Sequence, residues 1–512
     1  MRRRPGATAG AAGPPAAARS LTGTTARGFV WSFGGGVGQA LMSIASIVLL
    51  SRLLTPAQFG AAAAAGLVVG LAALFSQLGV GPAVVQRKDL TDEQVVAASV
   101  FSVVLSLALA LLLLPLTPLF NSLVGLPRDS GLLRLLSVSL PLSGLAAVPM
   151  GLLQRRLRFR AMTVVDLLAA GPGAIGVTLV LAVLDFGAYS LVWGVLASAA
   201  ITAVGYGIAA RQPVMVLSPV AVWRNVRPLL RFGTAYSLSQ VGNWLALNAD
   251  NLVTTNLLGP GALGVYNRAY RLLSQPANLI GGAADKVLFP AMAKVRTDDQ
   301  RLRNAYLRAT SLVALAAAPL SVVLFVLAPE LVRVLMGPTW SGVVVPLQAF
   351  ALVLLPRASY KISGSLTRAT GAVAGGAWRQ WLYAAEVVVA CSLGTHWGVS
   401  GVAVGASLAI VLHFLVMLRF SSRIAPGLMR AVLSMYLRKH LPVALVALVA
   451  TSAATALVRR ADAPVLTLLV GSAAGVAAAA VAVVVLRRSF TGELEVVRSI
   501  FSRTRTDSGT AV

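Results

Sequence analysis

The chain is poor in the residues that do chemistry. Among its 512 residues are one cysteine, Cys391, and three histidines, His396, His413 and His440. A lone cysteine excludes an internal disulfide and a thiolate metal cluster. The histidines fall in separate segments without ligand spacing, so no metal site is written here. Acids number only 16. Asp89, Asp92 and Glu93 cluster in one loop and Asp298 and Asp299 in another, beside arginines, and read as solvated charge. There is no Walker A sequence, which excludes direct ATP drive within this chain. No loop is long enough to be an extramembrane catalytic domain. No enzyme activity, cofactor or metal is expected.

What is abundant is apolar. Hydrophobic residues make up 57% of the chain and charged ones 12%. Charge-poor runs of about 18 or more residues recur along its length, each long enough to cross a hydrocarbon core. In lipid an isolated span must satisfy its own backbone, so these runs are helices; strands of a membrane barrel would alternate in polarity. The expected fold is all-α and polytopic, with fourteen spans: roughly 29–50, 61–80, 95–120, 132–154, 164–184, 187–210, 233–258, 262–290, 309–336, 342–370, 378–396, 398–420, 441–458 and 464–486.

The net charge of +27 would suit nucleic acid if it were clustered on one face. Instead the arginines sit in short loops between spans, and most fall on one side. Arg155, Arg156, Arg158 and Arg160 follow span four, and Arg211, Arg224, Arg227 and Arg231 follow span six. Only Arg52, Arg128, Arg134, Arg333, Arg459 and Arg460 fall in the opposite loops. This bias places both termini in the cytoplasm and excludes nucleic acid as a partner. The chain divides into a disordered cytoplasmic tail 1–28, an N-lobe 29–210, a basic amphipathic linker 211–232 on the inner leaflet, a C-lobe 233–420, two further spans within 421–486 and a cytoplasmic tail 487–512.

One phrase occurs twice. Leu53-Leu54-Thr55-Pro56-Ala57-Gln58-Phe59-Gly60 returns as Leu257-Leu258-Gly259-Pro260-Gly261-Ala262-Leu263-Gly264, so the shared skeleton is Leu-Leu-x-Pro-x-x-x-Gly. Each copy links two apolar runs, and both fall on the outer side. The lobes are therefore parallel repeats of six helices, with a pseudo-twofold axis along the membrane normal. The copies differ in charge: Arg52 corresponds to Asn256, and Ser46 to Asp250.

Polar residues lie on one face of span one (Ser32, Gly36, Gln39, Ser43, Ser46) and of span seven (Ser237, Gln240, Asn243, Asn248, Asn251, Thr254). Small and polar residues also glue packed membrane helices, but the amides Gln39, Gln240, Asn243, Asn248 and Asn251 favour a hydrophilic cavity between the lobes. Asp250 lies inside span seven, where a charge costs roughly 2.5–3.5 kcal/mol to insert. It should either pair with Arg268 or Arg271 on the next helix or serve ion coupling. Arg357, Lys361 and Arg368 make one cationic face on span ten, suited to a phosphate or pyrophosphate group. Snorkelling and pairing with Glu386 is the other reading of that face.

Further phrases accompany the repeat: Gln86-Arg87-Lys88-Asp89-Leu90-Thr91, Gln154-Arg155-Arg156-Leu157-Arg158-Phe159-Arg160, and Leu263-Gly264-Val265-Tyr266-Asn267-Arg268-Ala269-Tyr270-Arg271. Together they resemble the Wzx-like polysaccharide-biosynthesis flippases of the MOP (multidrug/oligosaccharidyl-lipid/polysaccharide) superfamily, nearest the branch of colanic-acid-type exporters. The resemblance covers roughly 29–420. It implies a MATE-like fold in the cytoplasmic (inner) membrane and alternating access by two lobes. The cavity between them would take the sugar–pyrophosphate head of a polyprenyl-linked oligosaccharide for capsule, exopolysaccharide or O-antigen synthesis, with Arg52, Arg268, Arg271, Arg357 and Lys361 as its cations. It also implies coupling to a proton or sodium gradient, for which Asp250 and Glu386 are candidates, and partners among membrane lipids, a polysaccharide polymerase and glycosyltransferases. Where this branch often carries Asp-Lys in span seven, this chain has Asp250-Asn251. A peptidoglycan-precursor flippase, a multidrug antiporter and a non-transporting membrane scaffold are the alternatives.

Overall fold

The computed structural model describes residues 16–493 and 495, apart from 88 and 214. The side chains of 16–33, of 278–291 and of some scattered positions lie outside the described set. So do residues 1–15 of the expected first tail and 496–512 of the expected second one.

Every described element is helical. The first half comprises α1 (Ala16–Leu53), α2 (Pro56–Gln77), α3 (Val80–Gln86), α4 (Asp92–Leu123), α5 (Leu132–Ser137), α6 (Ser139–Arg155), α7 (Phe159–Leu168), a π-helical stretch at Ala169–Gly176 that runs into α8 (Val177–Val183), and α9 (Ala188–Ala210). The second half comprises α10 (Pro219–Lys294), α11 (Asp299–Val326), α12 (Ala328–Leu335), α13 (Val344–Leu352), α14 (Leu354–Thr370), α15 (Val373–Gly394) and α16 (Gly398–Ile424). It is followed by α17 (Leu428–Met435), α18 (Leu441–Arg459) and α19 (Pro464–Val485). Helix α1 starts at Ala16, earlier than the sequence suggested, and the linker from Pro219 onwards is already helical, with Val226 and Leu229 buried.

Ten described segments are long and apolar enough to span a membrane, or eleven when the bent pair Pro338–Leu352 and Leu354–Thr370 counts as one. This is a multi-pass membrane protein. Fourteen spans were expected, and the difference lies in two places. Helix α10 is too polar to pass as apolar spans, although it turns back on itself at Gly259 (φ 84, ψ 174). Trp378–Ile424 is one apolar stretch broken between α15 and α16. The 47° bend between α13 and α14 falls at Val353, three residues before Pro356, whose missing N–H leaves the turn unsupported.

The repeated phrase builds the same device with different chemistry. In the first copy Thr55 caps α2. Its hydroxyl accepts from Gln58 N at 3.4 Å, its N–H donates to Gln58 Oε1 at 2.9 Å, and Pro56 takes the first helical position. In the second copy Gly259 adopts the left-handed φ that glycine tolerates, and Pro260 restarts the helix. The closing glycines then meet. A Cβ on Gly60 would fall 1.5 Å from Pro260 O, and one on Gly264 1.9 Å from Pro56 O. Backbone packs on backbone where the two copies cross.

The loop arginines after α6 cap helix ends. Arg155 donates to Val84 O at 3.1 Å and to Arg87 O. Arg156 donates to Ala210 O, and Arg158 to Ala209 O at 2.8 Å. These are the unpaired carbonyls at the ends of α3 and α9, where positive charge is favoured.

Candidate functional site

A cavity of about 620 Å³ lies between the two halves, within the range of small-molecule sites. The wall from α1, α2, α6, α8 and α9 is apolar or hydroxylic, with Phe59 at one end and Ser46, Ser139, Ser143 and Thr178 as its hydroxyl groups. The wall from α10 carries the rest of the polarity: Asn248, Asn251, Asn267, Arg268 and Arg271. No carboxylate lines it among the described residues. The asymmetry follows from sequence, because the polar face expected on span seven continues past Gly259 onto Asn267, Arg268 and Arg271.

One end of the cavity is tied shut between the halves. Arg52 donates to Val334 O at 3.0 Å and Trp340 Nε1 to Ser51 O at 2.6 Å. Thr255 donates to Val124 O at 2.8 Å and Asn256 to Leu123 O at 2.7 Å. The crossed glycines Gly60 and Gly264 lie at this same end. Midway, Gln275 donates to Ser43 Oγ at 3.0 Å. At the opposite end Gly79 packs on Gly233, where a Cβ on Gly79 would fall 2.4 Å from Gly233 O.

Arg268 is buried, at 5% exposure. Its guanidinium carbon sits 3.7 Å over the Phe59 ring and 5.9 Å from the Trp340 ring. Among the described residues it has no hydrogen-bond or ion-pair partner. Arg271, one turn on, is exposed to the cavity.

The remaining expected residues are placed elsewhere. Asp250 is buried and pairs with neither Arg268 nor Arg271, so the first of its two expected roles does not hold. Its carboxylate accepts from the Tyr266 hydroxyl at 2.7 Å and from Asn251 N at 2.8 Å, behind the cavity wall. Tyr266 stacks on Tyr270, with ring centroids 6.2 Å apart, and Tyr270 accepts from Arg357 at 2.6 Å. Arg357 is therefore turned into an aromatic cluster of the second half and does not line the cavity. Lys361 is half-buried on the same helix, also away from the cavity wall. One carboxylate oxygen of Glu386 is buried without a hydrogen-bond partner. Gln39 and Asn243 are exposed and Gln240 half-buried, and none of the three lines the cavity. Asn248 donates to Trp244 O at 2.9 Å, and Asn251 Oδ1 is buried without a partner. Arg52 stands at the tied end, engaged by Val334.

Sequence reasoning missed Phe59, Trp340, Tyr266, Tyr270 and Asn267. Phe59 lies within the repeated phrase, and the three α10 residues flank Arg268, so position was the available signal.

A family model described as polysaccharide biosynthesis protein matches residues 49–345. The chain is 29% identical over 319 residues to the succinoglycan biosynthesis transport protein ExoT of Rhizobium meliloti, covering 62% of this chain and 64% of that protein. It therefore spans slightly under two thirds of that relative's length. It is 26% identical to the lipopolysaccharide biosynthesis protein WzxC of Escherichia coli, covering 69% of this chain and 72% of that one. It is 24% identical to the teichuronic acid biosynthesis protein TuaB of Bacillus subtilis, covering 65% and 68%. Its fold matches a solved structure of the lipid II flippase MurJ in an inward closed conformation, with a TM-score of 0.70 at 15% identity over 90% of this chain and 100% of that one. It also matches an inward-facing MATE multidrug resistance transporter of the MOP superfamily, with a TM-score of 0.59 at 20% identity over 77% and 96%.

Proposed function

The chain belongs to the family of polysaccharide biosynthesis proteins, and on that premise we propose that it flips polyprenyl-pyrophosphate-linked oligosaccharide repeat units across the membrane by alternating access of its two halves. It is a transporter and not an enzyme. The observation that carries this reading is the cavity between the halves, with two arginines, three asparagines and no acid among its lining residues. A pyrophosphate carries negative charge that guanidinium groups match. Sugar hydroxyls both donate and accept, which suits amides and serines. Neither group crosses hydrocarbon unaided.

In this reading the protein sits in the cytoplasmic membrane with both termini inside. The end tied by Arg52, Trp340 and the crossed glycines then faces outward. Repeat units enter from the cytoplasmic leaflet, where glycosyltransferases assemble them, and leave to a polymerase outside. Arg268 and Arg271 receive the pyrophosphate; Arg52 holds the outer end. Asp250 and Glu386 are the groups available for a proton or sodium gradient, with Arg357 and Lys361 tuning that region from within the second half. A drug antiporter for organic cations needs an acidic cavity, and the lining acids it would use are absent among the described residues. A peptidoglycan-precursor flippase shares the fold and would also suit an arginine-lined cavity, so glycan chemistry separates the two.

The test is a deletion strain. Lipid-linked repeat units should accumulate on the cytoplasmic leaflet while surface polysaccharide is lost. Export that continues without such accumulation would overturn the proposal.

A further inference from the structure

Arg268 is unusual among the charged residues of the cavity. It is buried and stands on the cavity wall, and its contacts are ring faces. A desolvated guanidinium on a ring gains from the ring's quadrupole, but a charge-assisted pair with a phosphate is the stronger interaction. The rings it touches are structural parts of the tied end. Phe59 precedes Gly60, whose backbone is packed on Pro260. Trp340 meets Phe59 edge-on at 5.4 Å and donates across the halves to Ser51 O. Arg268 itself lies one turn beyond Gly264, the other crossed glycine. Phe59 belongs to the first half, and Arg268 and Trp340 to the second. The stack is thus both a contact that holds the halves together and the resting place of a cavity cation.

We propose that Phe59 is a positioning residue that couples head-group binding to release of the tied end: a pyrophosphate in the cavity draws Arg268 off the Phe59 ring and removes a contact that keeps the halves closed there. This rests on the reading of Arg268 as an anion ligand given above. One guanidinium cannot stack on the ring and clasp the phosphate at the same time. Binding and closure therefore compete, and by linkage each opposes the other by the same factor.

The experiment uses the full chain in lipid nanodiscs. Spin labels on Ala57→Cys and Ser341→Cys, both at exposed positions of the tied end in opposite halves, report its opening by distance distribution. The native Cys391 is buried. The probe is a polyprenyl pyrophosphate, with the corresponding polyprenol as control. In the otherwise native protein the pyrophosphate raises the open fraction and the polyprenol leaves it unchanged. Phe59→Leu raises the open-to-closed ratio without probe by roughly thirtyfold, the scale of a desolvated cation–π contact. It tightens probe binding by the same factor. Phe59→Tyr keeps the ring face and leaves both readouts as they were. If Phe59→Leu does not accumulate, Phe59→Met carries the same comparison.

A residue that merely packs at this end would open it whatever stood at 268. The coupling account expects Phe59→Leu to add nothing once Arg268→Gln is present. An equal effect of Phe59→Leu in both backgrounds, or unchanged probe affinity in Phe59→Leu, overturns the coupling. Probe binding to Arg268→Gln at the original affinity overturns instead the anion-ligand reading beneath it. The two failures are thus read from different variants.

Discussion

Adding one methyl group at Gly60 should pry open the end of the cavity where the repeated phrase crosses itself. The Cβ would sit 1.5 Å from Pro260 O and 2.4 Å from Pro260 C. An ordinary carbon–oxygen contact is about 3.3 Å, so the helices must part by about 1.8 Å there. The clash is with backbone, which has no rotamer to escape through. Overpacking of this kind costs about 1–3 kcal/mol, and because it burdens only the closed arrangement it should favour opening by about 5- to 150-fold. The assay is reaction of Ser46→Cys, on the cavity wall, with a membrane-impermeant thiol reagent applied from the side of the tied end. Gly60→Ala should raise that rate by about the same factor. Gly66→Ala, on the same helix with nothing within 4 Å of its Cβ, should leave it unchanged. Gly264→Ala, 1.9 Å from Pro56 O, should act like Gly60→Ala, and the double variant should add less than the sum because the gap is already open. A folded Gly60→Ala protein with unchanged reactivity would refute the closed crossing.

Thr55→Ala removes the capping hydroxyl of α2 and should cost about 1 kcal/mol, seen as a lower melting temperature, with Thr55→Ser close to the original. Tyr266→Phe leaves a buried oxygen of Asp250 without its hydroxyl donor and should cost about 1–3 kcal/mol in the same measurement; an unchanged melt would remove Tyr266 from the account. Glu493, beyond the last span, titrates below its ordinary value of 4.5: burial alone would raise it, but the Ser311 hydroxyl at 2.5 Å and Lys439 at 3.6 Å outweigh burial. A carboxylate lowered on folding contributes stability that is complete above its unfolded pKa and is lost as pH falls through the folded one. Glu493→Gln should therefore be less stable than the original at neutral pH, and the gap should close below pH 4.5.

Much of this was legible in the sequence because membranes constrain it so strongly. The helical class and the two halves follow from apolar runs and a repeated phrase. That the two copies touch each other did not follow, because a motif shared by two hairpins says nothing about their distance. The loop arginines were legible as a charge bias between spans; that they also close the carbonyl ends of α3 and α9 depends on which helices end nearby. Arg357 looked like a cavity cation because it sits on a polar helical face. The bend at Val353 and the partner Tyr270 turn it into the protein instead. Asp250 was rightly singled out as a buried charge, but its partner is a tyrosine sixteen residues on, which charge-matching along the sequence does not look for. The spans expected over 61–80 and 95–120 leave 81–86 outside any helix, yet α3 runs through it with Val84 fully buried.

The central claim is that the arginine pair on the α10 wall carries an anionic head group across. Its most direct test is transbilayer movement of a polyprenyl-pyrophosphate-linked oligosaccharide in proteoliposomes holding the purified protein, compared with the Arg268→Gln, Arg271→Gln double variant. The account predicts movement with the native protein and a loss of at least about tenfold in the variant, the scale of a charge-assisted hydrogen bond removed. Equal rates from both proteins would contradict it.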